Sequence, residues 1–377
     1  MNFELTDEQE LIRQTVRDFA VSRVAPVAEE IDREARFPYE IVAELAELGL
    51  MGLPIPEEYG GAGGDTVSYA IAIEELTRID SSVAITVAAH TSLGTMPIYM
   101  FGNEEQKQEW LPKLTSGQGL AAFGLTEPDA GSDAGATRTK AELRDGEWVV
   151  DGSKIFITNA GTDISTCVTI TAVTGENEIS NIIVPNGTPG YEISAPMHKL
   201  GWHASDTREL SFSGCRVPEG NLLGTRGKGF SQFMKILDGG RISVASMGVG
   251  LAQGAYDLAL SYAKERRQFG KAIAEFQAIQ FQLADMATDI DAGRQLVYKA
   301  AWLKDQGRDF ALAAAQAKLY TGLLSNRVVN AALQIHGGYG FMEEFAISRL
   351  YRDQKILEIG EGTNEVQRMV IAKYLGL

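Results

Sequence analysis

The first third of the chain places its apolar residues at helical spacing. Two stripes of this kind are Leu11, Val16 and Phe19, and then Ile41, Leu45 and Leu48. Thr6 followed by Gln9 is typical of a capping box at the start of a helix. A turn-rich stretch at 54–65, PIPEEYGGAGGD, interrupts the pattern. We therefore predict an α-helical domain over residues 1–119.

The pattern changes over residues 120–229, where short β-branched runs alternate with Gly, Asn, Asp and Pro. The pair Asp145-Gly146 is typical of a hairpin turn. The runs with strand composition are 147–150, 154–158, 167–173, 179–184 and 210–212. This segment is predicted to be a β domain. Helical periodicity then returns over 230–377, where one stripe comprises Leu283, Met286, Ile290 and Val297. That pattern predicts a helix bundle.

Composition narrows the classes of partner. Hydrophobic residues make up 45% and charged residues 22%, as in an ordinary globular protein. The net charge is −16, which repels phosphate backbones and anionic lipids, so nucleic acid and membranes are disfavoured as main partners. The acidic N-terminus lacks the features of a targeting signal, and Cys167 and Cys215 form no paired motif. These observations predict a cytoplasmic protein with free thiols.

Several familiar sites are disfavoured by spacing. The four histidines match no zinc motif, so we predict no metal site. Gly248, Gly250 and Gly254 nearly reproduce a dinucleotide fingerprint, but their spacing is too long and no strand precedes them. The segment 224–228 lacks the spacing and the hydroxyl residue of a phosphate loop.

Four other segments carry a more specific signal. They are GLTEPDAGSD at 124–133, RRQFGK at 266–271, QIHGGYG at 334–340 and KILEIGEGTNEVQRMVI at 355–371. In this order and at these distances, they resemble the acyl-CoA dehydrogenase family. The resemblance implies a multidomain α+β fold with an N-terminal α-helical domain, a middle β-barrel-like domain and a C-terminal four-helix bundle. It also implies FAD-dependent oxidation of a saturated acyl-CoA thioester to the trans-2-enoyl-CoA.

The resemblance assigns the catalytic base to Glu361, the first glutamate of the EGT motif. Burial among apolar neighbours can raise the pKa of such a carboxylate towards the value at which a general base works best. Gly360 stands where the family often has Tyr, which could widen the acyl pocket. Some members place the base at the position that is Gly240 here, so Glu361 is the only candidate base at a recognised position.

The resemblance also names residues for FAD and for acyl-CoA. The cofactor set is Phe123, Leu125, Thr126, Ser132, Phe156, Thr158, Arg266, Gln268, Phe269, Gln277, Gln334, Gly337, Gly338, Thr363 and Glu365. The substrate set is Ser132, Asp238, Arg241 and Gly362. Plainer interpretations remain open from the residues alone: a surface turn for 124–133, a basic helix end at Arg266 and a helix-start salt bridge between Asp238 and Arg241.

The acyl chain and the partners are less specified. The segment 84–96 matches the region that closes the acyl pocket, and it contains no Arg that could pair with a terminal carboxylate. The resemblance implies an electron-transferring flavoprotein as electron acceptor, a homotetramer in which a neighbouring subunit meets the FAD diphosphate, and a role in fatty-acid metabolism such as β-oxidation. The alternatives are an oxidase, or a DNA-associated flavoprotein of the same superfamily.

Overall fold

The computed structural model describes residues 4–377, so the first three residues of the predicted N-terminal domain lie outside it. Helices dominate the chain up to residue 119. They are α1 (Asp7–Phe19), α2 (Ala28–Arg33), α3 (Tyr39–Glu47), α4 (Thr66–Ile79), α5 (Ser81–Ala89), α6 (Met96–Phe101) and α7 (Glu104–Thr115). The capping box predicted at Thr6 is present, because its hydroxyl accepts from the Gln9 amide and the Gln9 side chain accepts from the Thr6 amide.

The stripe predicted on α1 is wrong at one position. Val16 and Phe19 are buried, but Leu11 is 67% exposed. Gln9 takes the inward position instead, since it lies two turns before Val16 on the same face. Its amide donates to Asp65, the N-cap residue of α4, so this polar side chain fixes one helix to the next.

The middle segment is a mixed eight-stranded sheet with the order β6-β7-β3-β2-β4-β5-β8 and with β1 paired in parallel to β4. Its strands are β1 (Leu120–Gly124), β2 (Lys140–Arg144), β3 (Glu147–Thr158), β4 (Ser165–Gly175), β5 (Glu178–Pro185), β6 (Tyr191–Ile193), β7 (Thr207–Pro218) and β8 (Leu222–Leu223). The predicted runs 147–150 and 154–158 are two parts of β3.

Strand β3 contains an irregularity that concerns the site. It pairs Lys154 with Leu210 and then Ile157 with Arg208, so one extra residue lies on β3 between these pairs. Phe156 falls in this bulge with φ +61° and is 61% exposed. A bulky residue with positive φ is unusual, and bulges of this kind redirect side chains beside functional sites.

The C-terminal part is built on three long helices, α8 (Gly229–Glu265), α9 (Gln277–Asp305) and α10 (Ala311–His336). A short hairpin of β9 (Arg267–Gln268) and β10 (Lys271–Ala272) joins α8 to α9, and α11 (Ala346–Asp353) and α12 (Asn364–Tyr374) follow α10. The predicted stripe of Leu283, Met286, Ile290 and Val297 is buried on α9. Among the described residues no helix is long and apolar enough to cross a membrane.

The glycines that imitate a nucleotide fingerprint lie inside α8 and serve helix packing. A Cβ on Gly250 would come within 2.3 Å of the Glu74 carbonyl oxygen, and one on Gly254 within 2.2 Å of the Arg78 carbonyl oxygen. Both carbonyls belong to α4. The missing side chains therefore let α4 and α8 approach backbone to backbone, which joins the N-terminal helices to the bundle.

Candidate active site

Glu361 lies in a tight turn between a short 3-10 helix and the start of α12. Glu361 has φ +55° and Gly362 φ +86°, so two successive residues adopt the left-handed region. The Glu361 Oε2 atom is buried and has no hydrogen-bond partner among the described residues. Burial raises the pKa of Glu361 to about 7, against the opposing effect of the charges on Arg241 and Lys318. A carboxylate with this pKa is suited to act as a general base.

The position of Gly240 explains how the carboxylate fits against α8. A Cβ on this residue would lie 2.4 Å from Glu361 Oε2 and 3.1 Å from its Cδ. Helix α8 therefore has no side chain at the point where the carboxylate packs. Some members of the family that the sequence resembles place the base at this position. Here the glycine leaves that space to Glu361.

Two buried polar side chains hold the turn, and neither was identified from the sequence. Lys318, on α10, is fully buried and donates from Nζ to the Gly362 carbonyl at 2.7 Å. Gln367, on α12, donates from Nε2 to the carbonyls of Gly362 at 2.9 Å and Glu361 at 3.2 Å. The signal in the sequence is a lone lysine on the buried stripe of an Ala-rich helix.

Asp238 and Arg241 form a salt bridge, with Nη1 and Oδ1 2.5 Å apart. The plainer interpretation put this pair at a helix start, but Asp238 lies nine residues after Gly229, the first residue of α8. Arg241 is only 3% exposed and acts electrostatically on Glu361, so this guanidinium lies inside the site rather than on the surface. Burial raises the pKa of Asp238, and the charge of Arg241 opposes this rise. Asp238 also lines a cavity between the N-terminal helices and the bundle.

That cavity has a volume of about 410 Å³. The predicted acyl segment contributes Thr91, Ser92 and Met96 to its wall, beside Tyr69. Three cations that sequence reasoning missed also line it: Lys235, Lys304 and Arg308. A local basic wall can bind an anionic ligand such as CoA in spite of the net negative charge of the chain.

The predicted flavin loop begins at the end of β1 and packs against the start of α8. The ring of Phe123 stacks on Phe233 with centroids 5.2 Å apart, and Leu125 joins the same apolar cluster. The Thr126 carbonyl accepts from the Ile155 amide at 2.8 Å, which ties the loop to β3. Ser132 is exposed near the end of the loop.

A buried ion pair anchors this loop and was not predicted. Lys154 Nζ lies 2.7 Å from Glu127 Oε1, with the two residues 0% and 6% exposed. Glu127 also accepts from the Thr137 hydroxyl and from the amides of Arg138 and Thr139. Burial raises the pKa of Glu127, but the bonds from Lys154 and Thr137 and the charge of Lys154 outweigh burial and lower the pKa to about 2.

The loop and β3 together present one exposed aromatic ring and two half-buried hydroxyl groups. Phe156 presents its exposed ring from the bulge, and Thr158 lies half-buried on the same strand two residues later. Thr126 is half-buried on the neighbouring loop. An aromatic ring can stack on a flavin ring, and hydroxyl groups can hydrogen-bond to its polar edge. The residues present therefore fit the cofactor that the sequence predicted.

The remaining predicted residues form a second group at the other end of α8. The Arg266 guanidinium stacks over the ring of Tyr339 at 5.3 Å, next to Gly337 and Gly338. Phe269 is 93% exposed, and Gln268, Gln277 and Gln334 are exposed too. The run of α8 from Gly240 to Arg266 is about 39 Å long. Within one chain, the structure therefore brings the predicted residues into two separate groups, with Thr363 and Glu365 beside the base.

Thr363 and Glu365 lie at the first turn of α12. The Thr363 hydroxyl accepts from the Val366 amide as the helix N-cap, so this side chain already has a structural role. Glu365 is exposed and forms an ion pair with Arg368. Within residues 4–377, no group of three or more His, Cys, Asp or Glu side chains could hold a metal ion.

Three family models together match almost the whole chain. They are the N-terminal domain of acyl-CoA dehydrogenases over residues 6–118, the middle domain over 122–215 and the C-terminal domain over 227–376. The chain is 53% identical to a probable acyl-CoA dehydrogenase, YngJ, of Bacillus subtilis, and the match covers 100% of both proteins.

Solved structures agree with these sequence matches. Butyryl-CoA dehydrogenase from Megasphaera elsdenii superposes with a TM-score of 0.97 at 44% identity and covers 100% of both chains. A chain from the structure of the electron transferring flavoprotein of Acidaminococcus fermentans gives the same TM-score and identity, covering 100% of this chain and 99% of that one. An acyl-CoA dehydrogenase complexed with FAD from Bacillus anthracis gives 0.94 at 36% identity, covering 99% and 68%.

Proposed function

Because the chain belongs to the acyl-CoA dehydrogenase family, we propose that Glu361 is the base of its reaction. The enzyme catalyses FAD-dependent α,β-dehydrogenation of a saturated acyl-CoA to the trans-2-enoyl-CoA. The observation that carries the proposal is the buried, unpartnered Oε2 of Glu361. An oxygen with no hydrogen-bond donor is free to accept the α-proton, and a pKa of about 7 leaves part of the population ionised at neutral pH.

The cofactor is FAD. When bound, FAD supplies the acceptor for the hydride that leaves the β-carbon, because no amino-acid side chain can accept one. We assign Phe123, Leu125, Thr126, Phe156 and Thr158 to the flavin ring, supported by the exposed aromatic surface at the β3 bulge. We keep four further residues as proposed contacts to the flavin or the thioester, namely Ser132, Thr363, Glu365 and Gly362.

We assign the second group, at the far end of α8, to the FAD of a neighbouring subunit. The group comprises Arg266, Gln268, Phe269, Gln277, Gln334, Gly337 and Gly338. Its distance from Gly240 is longer than an extended dinucleotide, and its large exposed ring at Phe269 lacks a cover within the described residues. Arg266 would pair with the diphosphate through charge-assisted hydrogen bonds. This assignment requires at least two subunits. We propose the homotetramer that family membership implies, and gel filtration with light scattering tests it.

For the substrate we propose a short saturated acyl-CoA, straight or branched. The names of the similar proteins include butyryl-CoA dehydrogenase, which supports a short chain. The cavity of about 410 Å³ must hold part of the CoA arm as well as the acyl group. The cations Lys235, Lys304 and Arg308 line the cavity and would bind the CoA arm, since the arm is anionic. Asp238 and Arg241 stay in the predicted substrate set as an ion pair that would orient the arm.

The electron acceptor in this proposal is an electron-transferring flavoprotein, supported by family membership and by the match to a chain from the structure of the electron transferring flavoprotein of Acidaminococcus fermentans. We propose a cytoplasmic location and a role in β-oxidation, and we retain 1–119, 120–229 and 230–377 as the domain limits. The two buried free thiols, Cys167 and Cys215, suit a reducing compartment. An oxidase and a DNA-associated flavoprotein are not favoured, because the relative with 53% identity and the solved structure with a TM-score of 0.97 at 44% identity from Megasphaera elsdenii are both named as dehydrogenases.

Anaerobic titration of the FAD-loaded enzyme tests this function. Saturated acyl-CoAs of increasing chain length are added, and bleaching of the flavin absorbance reports reduction. We expect short chains to bleach the flavin in wild type. The Glu361→Gln variant should keep FAD and bind the same acyl-CoA, yet reduce its flavin at least about 100-fold more slowly. A near-normal rate in this variant would show that another group is the base.

A further inference from the structure

Lys318 is a buried cation that has no role in the proposed reaction. Its side chain is fully buried on α10, within a stripe that otherwise consists of small or apolar residues such as Ala314 and Leu324. Burying a lysine is unfavourable unless its ammonium is well bonded or acts on another charge. Within the described residues its one hydrogen bond goes to the Gly362 carbonyl, and burial lowers its pKa to about 8.

This hydrogen bond falls at the point where the backbone turns. Glu361 and Gly362 both have positive φ, and a glutamate pays strain in that region unless the surroundings hold it there. Lys318 and Gln367 together bind the Gly362 carbonyl from α10 and α12. Two rigid helices therefore fix the direction in which the Glu361 side chain leaves the turn.

The same hydrogen bond keeps the ammonium off the carboxylate. Glu361 Oε2 has no hydrogen-bond partner, although both Lys318 and Arg241 act on it electrostatically. Arg241 likewise uses Nη1 for Asp238. A direct bond from a lysine would occupy the oxygen that has to accept the proton. Positive charge held nearby favours the ionised base without covering that oxygen.

We propose that Lys318 is a positioning residue for the base: it fixes the left-handed turn through the Gly362 carbonyl and supplies positive charge to Glu361 without bonding to it. This inference rests on the proposed role of Glu361. Other charged or titratable groups face the pair and enter its titration. Arg241 on α8, Glu358 before the turn and Glu365 on α12 act on Lys318, and Tyr69 on α4 lies within electrostatic reach of Glu361.

The test compares three variants of the FAD-loaded enzyme. Lys318→Met removes both the donor and the charge, and Lys318→Gln removes the charge but keeps a donor. Gln367→Leu is the matched control, because it removes a neutral donor to the same carbonyl. The measured quantity is the pH midpoint of the rate of anaerobic flavin reduction by butyryl-CoA. We expect the midpoint to move to higher pH by roughly one unit in both Lys318 variants and to stay in place in Gln367→Leu.

A second readout does not depend on turnover. Infrared difference spectra between each protein and its Glu361→Gln derivative report the protonated carboxyl of Glu361 as pH changes. The same upward movement of that titration should appear in the Lys318 variants. An unchanged midpoint in a folded Lys318 variant, or an equal movement in Gln367→Leu, would overturn the proposal. So would failure of both Lys318 variants to fold, because Lys318 would then serve folding alone.

These experiments distinguish a failure of the Lys318 proposal from a failure of the proposed function. If Glu361→Gln reduces its flavin at a normal rate, the base is misassigned whatever the Lys318 variants do. If Glu361→Gln is inactive and the Lys318 variants keep the wild-type pH midpoint, Glu361 remains the proposed base and the proposed role of Lys318 is wrong.

Discussion

Two loops of the site each place a glutamate near a fully buried lysine, and the two glutamates are shifted in opposite directions. In the loop after β1, the pKa of Glu127 falls to about 2. In the turn before α12, the pKa of Glu361 rises to about 7. The lysines, Lys154 and Lys318, are equally buried, and burial lowers the pKa of each to about 8. Residue type and burial of the lysine therefore do not decide whether the pKa of the neighbouring glutamate is raised or lowered.

The difference lies in where each lysine donates. Lys154 bonds directly to Glu127, and the Thr137 hydroxyl and two backbone amides bond to the same carboxylate. Every one of these donors favours the ionised form. Lys318 bonds instead to a peptide carbonyl beside Glu361, and the carboxylate keeps an oxygen free. A carboxylate whose oxygens all accept hydrogen bonds can anchor a loop. A carboxylate with an oxygen that accepts none can take up and release a proton.

The largest effect should come from breaking the anchored pair. Lys154→Met leaves the Glu127 carboxylate buried without its cation, so we expect a loss of about 3–5 kcal/mol in the free energy of unfolding. Urea unfolding followed by circular dichroism measures it. The matched variant Lys318→Met should lose less, because Gln367 still binds the Gly362 carbonyl and no hydrogen bond to a carboxylate is broken.

The double variant Lys154→Met with Glu127→Gln is the control for the charge. It leaves a neutral amide in place of the buried carboxylate, so part of the lost stability should return. If the double variant is no more stable than Lys154→Met, the unpaired charge is not the cause and the comparison between the loops fails.

The pH dependence of stability should differ in sign between the two glutamates. The folded pKa of Glu127 lies below the ordinary value of 4.5, so its contribution is present above pH 4.5 and is lost as pH falls towards 2. The folded pKa of Glu361 lies above 4.5, so stability falls as pH rises from 4.5 to about 7. The Glu361 contribution is at most about 3 kcal/mol.

Urea midpoints measured across this pH range, for wild type and the two glutamine variants, check these signs. Glu361→Gln should flatten the fall between pH 4.5 and 7, and Glu127→Gln should flatten the loss at acid pH. Subtracting the urea midpoint of each variant from that of wild type removes the contributions of the other titrating groups. A Glu361→Gln variant that keeps the full wild-type slope would show that Glu361 is not protonated in the folded state at mildly acid pH.

The fold could be predicted from the sequence, and the sequence also supplied the proposal that Glu361 is the base, but the supporting side chains could not be predicted. Helical spacing identified the helical domain and the bundle, because burial of one helix face imposes that period, and β-branched runs between turn residues identified the strands. The prediction that Leu11 is buried was wrong because a polar residue of the same helix, Gln9, takes the inward face. Lys318 and Lys154 were missed because their partners, Gly362 and Glu127, are distant in sequence and only the folded chain brings them together.

The smallest effect tests how closely the base is positioned against α8. In Gly240→Ala the new Cβ would lie 2.4 Å from Glu361 Oε2, so the carboxylate has to move while the helix gains about 1 kcal/mol of propensity. We expect the protein to stay folded and flavin reduction to slow by roughly ten- to a hundredfold, since small displacements of a reacting group have effects of this size. Gly239→Ala is the control for helix propensity, because its Cβ would meet only Lys304 Nζ, at 3.6 Å. The rates are compared at saturating acyl-CoA, because Gly239 lines the cavity. Equal rates in the two variants would mean that the space left by Gly240 is not what sets the position of the base.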